Sequence, residues 1–131
     1  MAWEAYITSN LMCPVDSEGN TLDSAAILGL DGSSVWASSA AFQALNDEEA
    51  RKFVAAFDDV SIASVMLAGA KYLKTSADGT IFRGRKDKSG FVARKGAQCI
   101  IIGFYTDPPV SAQTCNKVVE ALADYLADQG Y

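Results

Sequence analysis

From Val65 to Tyr105 the chain is a succession of short β-prone runs cut by the turn-forming dipeptides Asp78-Gly79, Ser89-Gly90 and Lys95-Gly96. Runs joined by connections this short can pair only as antiparallel neighbours, because a parallel crossover needs a dozen or more residues. The pattern predicts a meander of four strands. Its last strand, 98–105, carries Cys99-Ile-Ile-Ile102, an apolar run that belongs in the middle of a sheet or under a helix. Upstream, Ser24 to Leu30 runs into Asp31-Gly32, a hairpin signal, and Ser34 to Ser38 supplies a second strand with Val35 and Trp36.

Helical periodicity surrounds these strands. Trp3, Tyr6, Ile7 and Leu11 fall at i, i+3, i+4 and i+8, one stripe of an amphipathic helix that Pro14 and the polar stretch to Asn20 should end. Asn46 followed by Glu49 has the spacing of an N-cap with a return acceptor, and Ala50, Phe53, Val54 and Phe57 continue at helical spacing. After Pro108-Pro109, Ser111 is a suitable N-cap, and Val118, Val119, Leu122, Tyr125 and Leu126 mark a longer helix reaching Gly130. The expected class is α+β, a central antiparallel sheet with helices on its faces, in a single domain over 1–131. A chain of 131 residues, half of them hydrophobic, can bury about two thirds of its surface without staples.

The composition removes several chemistries. With no histidine in the sequence, a Ser-His-Asp or Cys-His arrangement is impossible and the commonest general base and metal ligand is missing. There is no phosphate loop, and the glycines at 29 and 32 sit in a hairpin rather than at a strand-to-helix turn. The acid pairs Glu48-Glu49 and Asp58-Asp59 lie on or just after an exposed helix and read as solvated charges. The reading is of a non-enzyme without cofactor or metal. No apolar run reaches the 18 residues of a membrane span, the N-terminus lacks a secretion signal, and three widely spaced cysteines point to a reduced, cytoplasmic protein.

Charge is unevenly placed. Between Lys71 and Lys95 eight basic residues stand against two acidic ones, giving +6, whereas the whole chain carries −5. The overall sign argues against a nucleic-acid binder, and the basic segment suits an acidic partner or a solvated hairpin edge. Aromatic residues gather at the chain ends, with Trp3 and Tyr6 in the first helix and Tyr125 and Tyr131 in or after the last, and Trp36 in a strand. Aromatic stripes are ordinarily core. A bulky ring at 131, however, gains little unless it packs on something, and an aromatic-lined groove is what a preformed polyproline II helix needs.

Six motifs in register along the chain resemble the profilins: Trp3-x-x-Tyr6 with Leu11-Met-Cys13, Asp31-Gly-Ser-Ser-Val-Trp36-Ala, Arg83-Gly-Arg-Lys86, Ile101-Ile-Gly-Phe-Tyr105, Cys115-Asn-Lys-Val-Val-Glu120 and the closing Leu122-Ala-Asp-Tyr125-Leu-x-x-Gln129-Gly-Tyr131. The last looks especially like the short plant-type members. The resemblance implies that the N- and C-terminal helices share one face of the sheet and shorter helices the other. It further implies poly-proline binding by Trp3, Tyr6, Trp36, Tyr125 and Tyr131 and binding of monomeric actin by Lys71, Arg83, Arg85, Lys86, Asn116 and Lys117. Binding of phosphatidylinositol bisphosphate at membrane surfaces would fall to Arg83, Arg85, Lys86, Lys88, Arg94 and Lys95.

Partners on this view are actin and proline-rich proteins such as formin-type assembly factors, and the chain is a cytoskeleton-associated monomer. Three segments depart from the plant-type pattern: a longer Pro14 to Thr21 loop, Val60 to Val65 where a short extra helical turn is expected, and Ala68 and Ala70 ahead of Lys71. Two alternatives stay open, a module that mainly binds phosphoinositides and a same-fold adaptor without actin affinity.

Overall fold

Both faces of the last strand of the meander are buried, and the architecture follows from that. The computed structural model describes residues 3–14, 17–29, 35–38, 47–57, 59, 61–67, 70–77, 80–106 and 110–131. Asp31-Gly32, the Asn46 cap, Asp58, Asp78-Gly79 and Pro108-Pro109 lie outside them. Among the described residues seven strands form one antiparallel sheet: β1 (Ser24–Gly29), β2 (Val35–Ser38), β3 (Ser64–Leu67), β4 (Ala70–Ala77), β5 (Ile81–Lys86), β6 (Ser89–Lys95) and β7 (Cys99–Thr106), in the order β2-β1-β7-β6-β5-β4-β3. β7 pairs with β1 through Ile27↔Ile101 and with β6 through Ala93↔Ile102, so the Cys99-Ile-Ile-Ile102 run sits at the centre as its composition requires.

The meander holds five strands rather than the expected four. Leu67 and Ala70 are direct partners across the β3–β4 pair, so the run beginning at Val65 doubles back after Leu67. Ala68-Gly69 sets an alanine before its glycine where the three turn signals read from the sequence carry Asp78, Ser89 and Lys95, which hid the reversal.

Alternation along the central strands splits the core in two. Ala25, Ile27, Cys99, Ile101 and Tyr105 face one side, where they meet Ile7 and Leu11 from the N-terminal segment and Cys115, Val119, Leu122, Ala123 and Leu126 from α3 (Ala112–Asp128). Ala26, Leu28, Ile100, Ile102 and Phe104 face the other, under Phe53 and Phe57 of α2 (Asp47–Ala56). Phe53 lies edge-on to Phe57, Phe82 and Phe91 at centroid distances of 5.3, 5.4 and 5.5 Å, the geometry that aromatic quadrupoles favour. The terminal helices therefore share one face and α2 occupies the opposite one.

The first helix begins as α1 (Trp3–Tyr6) and continues as a π-helical stretch over Ile7–Leu11, where a regular α-helix was expected. The Met12 N–H donates to the Ile7 carbonyl at 2.7 Å, five residues back. The wider turn stacks Ile7 over Leu11, both buried, while the Thr8 hydroxyl donates to the Ala5 carbonyl and competes for the helical bond there. α3 starts as its sequence indicates, with the Ser111 hydroxyl accepting the Thr114 N–H at 3.1 Å. Between α2 and β3 the expected extra helical turn is a single turn, in which the Asp59 carboxylate accepts the Ser61 N–H and hydroxyl and the Ile62 N–H donates to the Asp59 carbonyl.

Candidate functional site: an aromatic row and a basic sheet face

Five aromatic residues from three parts of the chain meet on the terminal-helix face. α1 supplies Trp3 and Tyr6, β2 supplies Trp36, α3 supplies Tyr125, and Tyr131 follows the end of that helix. Trp3 is the hub, 4.7 Å from Trp36, 5.0 Å from Tyr131 and 5.6 Å from Tyr6 between centroids, and Tyr6 continues the row to Tyr125 at 6.2 Å. Tyr131 stands edge-on to both tryptophans, at 84° to each. Below the rings lies the apolar core of that face, while Trp3, Tyr6, Trp36 and Tyr131 are half-buried and Tyr125 is 49% exposed. Removal from water, then the neighbouring Tyr125 hydroxyl, raise the Tyr6 hydroxyl above the ordinary phenol range, so the neutral phenol is favoured at Tyr6.

A row of tilted and edge-on rings with phenol hydroxyls is a surface for stacking and hydrogen bonding, with no nucleophile or paired acid among its five residues. Each ring step is shorter than the ~9 Å repeat of a polyproline II helix, so a strand of that form laid along the row meets a ring in every turn.

The basic segment takes a different part of the same face. Directly paired residues share a face of a sheet, and the pairs Met66↔Lys71, Ser64↔Leu73 and Leu73↔Arg85 put Met66, Lys71, Leu73 and Arg85 together, with Arg83 two residues before Arg85. α3 packs over β6 and β7, so at β3 and β4 Met66 and Leu73 are left 48% and 60% exposed. The near edge of α3 reaches the arginines. The Arg83 guanidinium donates to Asn116 Oδ1 at 2.8 Å, and Arg94 pairs with Glu120 at 3.2 Å and Asp124 at 3.9 Å. Asn116, Glu120 and Asp124 are spaced i, i+4, i+8, one edge of the helix.

The six residues expected to contact actin therefore fall into a connected surface for Lys71, Arg83, Arg85 and Asn116, with Lys117 exposed on the next position of α3 and Lys86 exposed at the end of β5. The lipid set does not form one patch. Lys86 ends β5 and Lys88 follows Asp87 in the β5–β6 turn, where the Asp87 carbonyl accepts the Arg85 Nε–H. Arg94 and Lys95 stand at the far end of β6, about 20 Å away at ~3.3 Å per residue. Arg94 is moreover committed to Glu120 and Asp124.

Met66 and Leu73 escaped the sequence reading, although strand alternation exposes them once Val65, Leu67 and Tyr72 are assigned to the core. A separate cavity of about 720 Å³ opens between α2 and β3, over Phe53, Ile62, Val65 and Met66, away from the row.

The Profilin family model matches residues 1–131. The chain belongs to the profilin family. A profilin from Schizosaccharomyces pombe is similar at 34% identity, covering 99% of this chain and 100% of that one, with a TM-score of 0.87. Two more distant profilins share the fold. Mouse profilin IIa, in complex with a double repeat from the FH1 domain of mDia1, matches at 20% identity over all of both chains with a TM-score of 0.71. LokiProfilin2, in complex with rabbit actin, matches at 15% identity over 82% of this chain and 85% of that one, with a TM-score of 0.68. The profilin fold is thus the frame on which both the aromatic row and the basic face are carried.

Proposed function

We propose that this profilin is a non-catalytic adaptor that binds monomeric actin and, through the aromatic row, proline-rich segments of assembly factors such as formins. The observation that carries the reading is the convergence of Trp3, Tyr6, Trp36, Tyr125 and Tyr131 into one half-exposed row. Prolines lose little conformational entropy on binding because their helix is preformed, and their rings stack on flat side chains. A profilin of the same fold has been solved with an FH1 double repeat, and another with actin.

The actin contact is assigned to the open face of β3–β5 and the first half of α3. Met66 and Leu73 give it an apolar centre, Lys71, Arg83, Arg85 and Lys117 give it a basic rim, Asn116 adds a neutral amide beside Arg83, and Lys86 closes it at the end of β5. An apolar core with a charged rim is the usual anatomy of a protein–protein interface. Anionic phosphoinositide heads belong at the β5–β6 turn, where Arg85, Lys86 and Lys88 are exposed together. Arg83 is bonded to Asn116 and Arg94 to α3, and both are assigned to holding the sheet against the helix. Adaptors of actin act in the cytosol, and this chain is placed there.

Two substitutions test the assignment together. Tyr6→Asp puts a carboxylate among the rings and should abolish binding to a proline-rich peptide while leaving actin binding intact. Leu73→Glu should weaken actin binding roughly tenfold or more and leave the peptide alone. Equal loss of both activities in either variant contradicts two separate sites.

A further inference from the structure

The backbone of Tyr131, whose ring stands edge-on in the row, is held from outside the helix as well as by the helix itself. α3 ends at Asp128, and Gly130 takes φ +93°, a left-handed turn that glycine adopts without strain. The Tyr131 N–H then donates back to the Leu126 carbonyl at 2.9 Å. The outer side of this turn is gripped by the β6–β7 connection. The Gln98 N–H donates to the Tyr131 main-chain oxygen at 2.7 Å, and the Gln98 side-chain amide donates to the Gly130 carbonyl at 2.8 Å. Gly96 lies against the same oxygen so closely that a Cβ there would sit 2.8 Å from it.

We propose that this connection is a brace, with Gln98 as a positioning residue and Gly96 as the clearance that lets it close, and that it sets the Tyr131 ring for the proline-rich ligand. Gln98 acts through the backbone of 130 and 131, where both of its hydrogen bonds end. Its two donors hold the 130–131 peptide and the main-chain oxygen of Tyr131, one on each side of the Tyr131 Cα, so the backbone that carries the ring to Trp3 and Trp36 at 84° is set before the ligand arrives. Preorganisation of this kind raises affinity by lowering the ordering cost on binding. The proposal rests on the aromatic row being the proline site.

The test is Gln98→Glu, which keeps size and shape and replaces the amide donor with a carboxylate facing a carbonyl. Binding of a poly-L-proline peptide should weaken roughly fivefold, the loss of one hydrogen bond, with the melting temperature lowered by no more than about 4 °C. In a Tyr131→Ala background the same change should have no further effect, since the brace then holds nothing. Gly96→Ala, which pushes on the Tyr131 backbone, should reproduce the loss. Wild-type affinity in Gln98→Glu, or an equal loss with and without the Tyr131 ring, overturns the brace. Tryptophan emission of the ligand-free protein separates this from the proline reading. It should shift in Gln98→Glu even if no peptide binds, and an unshifted spectrum also overturns the brace.

Discussion

Cys115 shows how one side chain can record its surroundings. It is fully buried on the sheet-facing side of α3, its thiol donates to the Gly103 carbonyl at 3.3 Å, and burial pushes its pKa up to about 12. Burial likewise raises Cys99 to about 11. Both folded values exceed the ordinary thiol value near 9, so the neutral form is favoured in the fold and the stability this confers is complete below that pH. Stability should fall as pH rises from about 9 toward 11 and 12, because the unfolded chain releases protons that the fold retains. Chemical denaturation at pH 7, 9 and 10.5 should show the decline, with a shallower slope in Cys115→Ala. An identical slope contradicts the assignment. A thiol reagent at pH 8 should modify Cys13, which is only half-buried, quickly in the native protein and all three cysteines only after unfolding. At this scale the sequence singled out Tyr131, whose place after the last helix gives a bulky ring little to gain unless it packs on something, whereas grouping it with Trp3, Tyr6, Trp36 and Tyr125 rested on the family resemblance, because aromatic stripes are ordinarily core. The role of Arg94 was not legible, since its partners Glu120 and Asp124 lie 26 and 30 positions away and charge counting cannot reveal pairing.

Among the elements, α3 and β7 are the pair whose fit is most constrained. Gly103 faces the helix, and a Cβ there would lie 2.8 Å from Leu22 Cδ1 and Val119 Cγ2 and 3.3 Å from Cys115 Sγ. Gly103→Ala should therefore cost about 1–3 kcal/mol through overpacking. Ser111→Ala removes the cap of the same helix and should cost about 1 kcal/mol, roughly 4 °C in melting temperature. Thermal unfolding followed by circular dichroism measures both, and a larger loss at the exposed end than at Gly103 would contradict the packing account. Element type and order were readable from periodicity, including the Ser111 cap and the central position of Cys99-Ile-Ile-Ile102. The π-helical stretch and the β3–β4 reversal were not. The first depends on how Ile7 and Leu11 seat against β1, and the second on a turn whose Ala68-Gly69 carries a weak signal.

The whole molecule sets two surfaces on one face of the sheet, with α3 contributing to both. Asn116 and Tyr125 are nine residues apart on that helix, about 14 Å along its axis and half a turn around it, so a ligand on the aromatic row leaves the Arg83–Asn116 surface open. Actin and a proline-rich peptide should bind together, each with the affinity it has alone, in paired titrations; mutual exclusion would contradict the geometry. The central claim is that the aromatic row is the proline-binding site, and it is open to one direct reading because Trp3 and Trp36 are the only tryptophans in the chain. Intrinsic tryptophan fluorescence titrated with a poly-L-proline peptide should change saturably and lose that change in Tyr6→Asp. A wild-type spectrum that does not respond to the peptide, or a response that survives Tyr6→Asp, would contradict it.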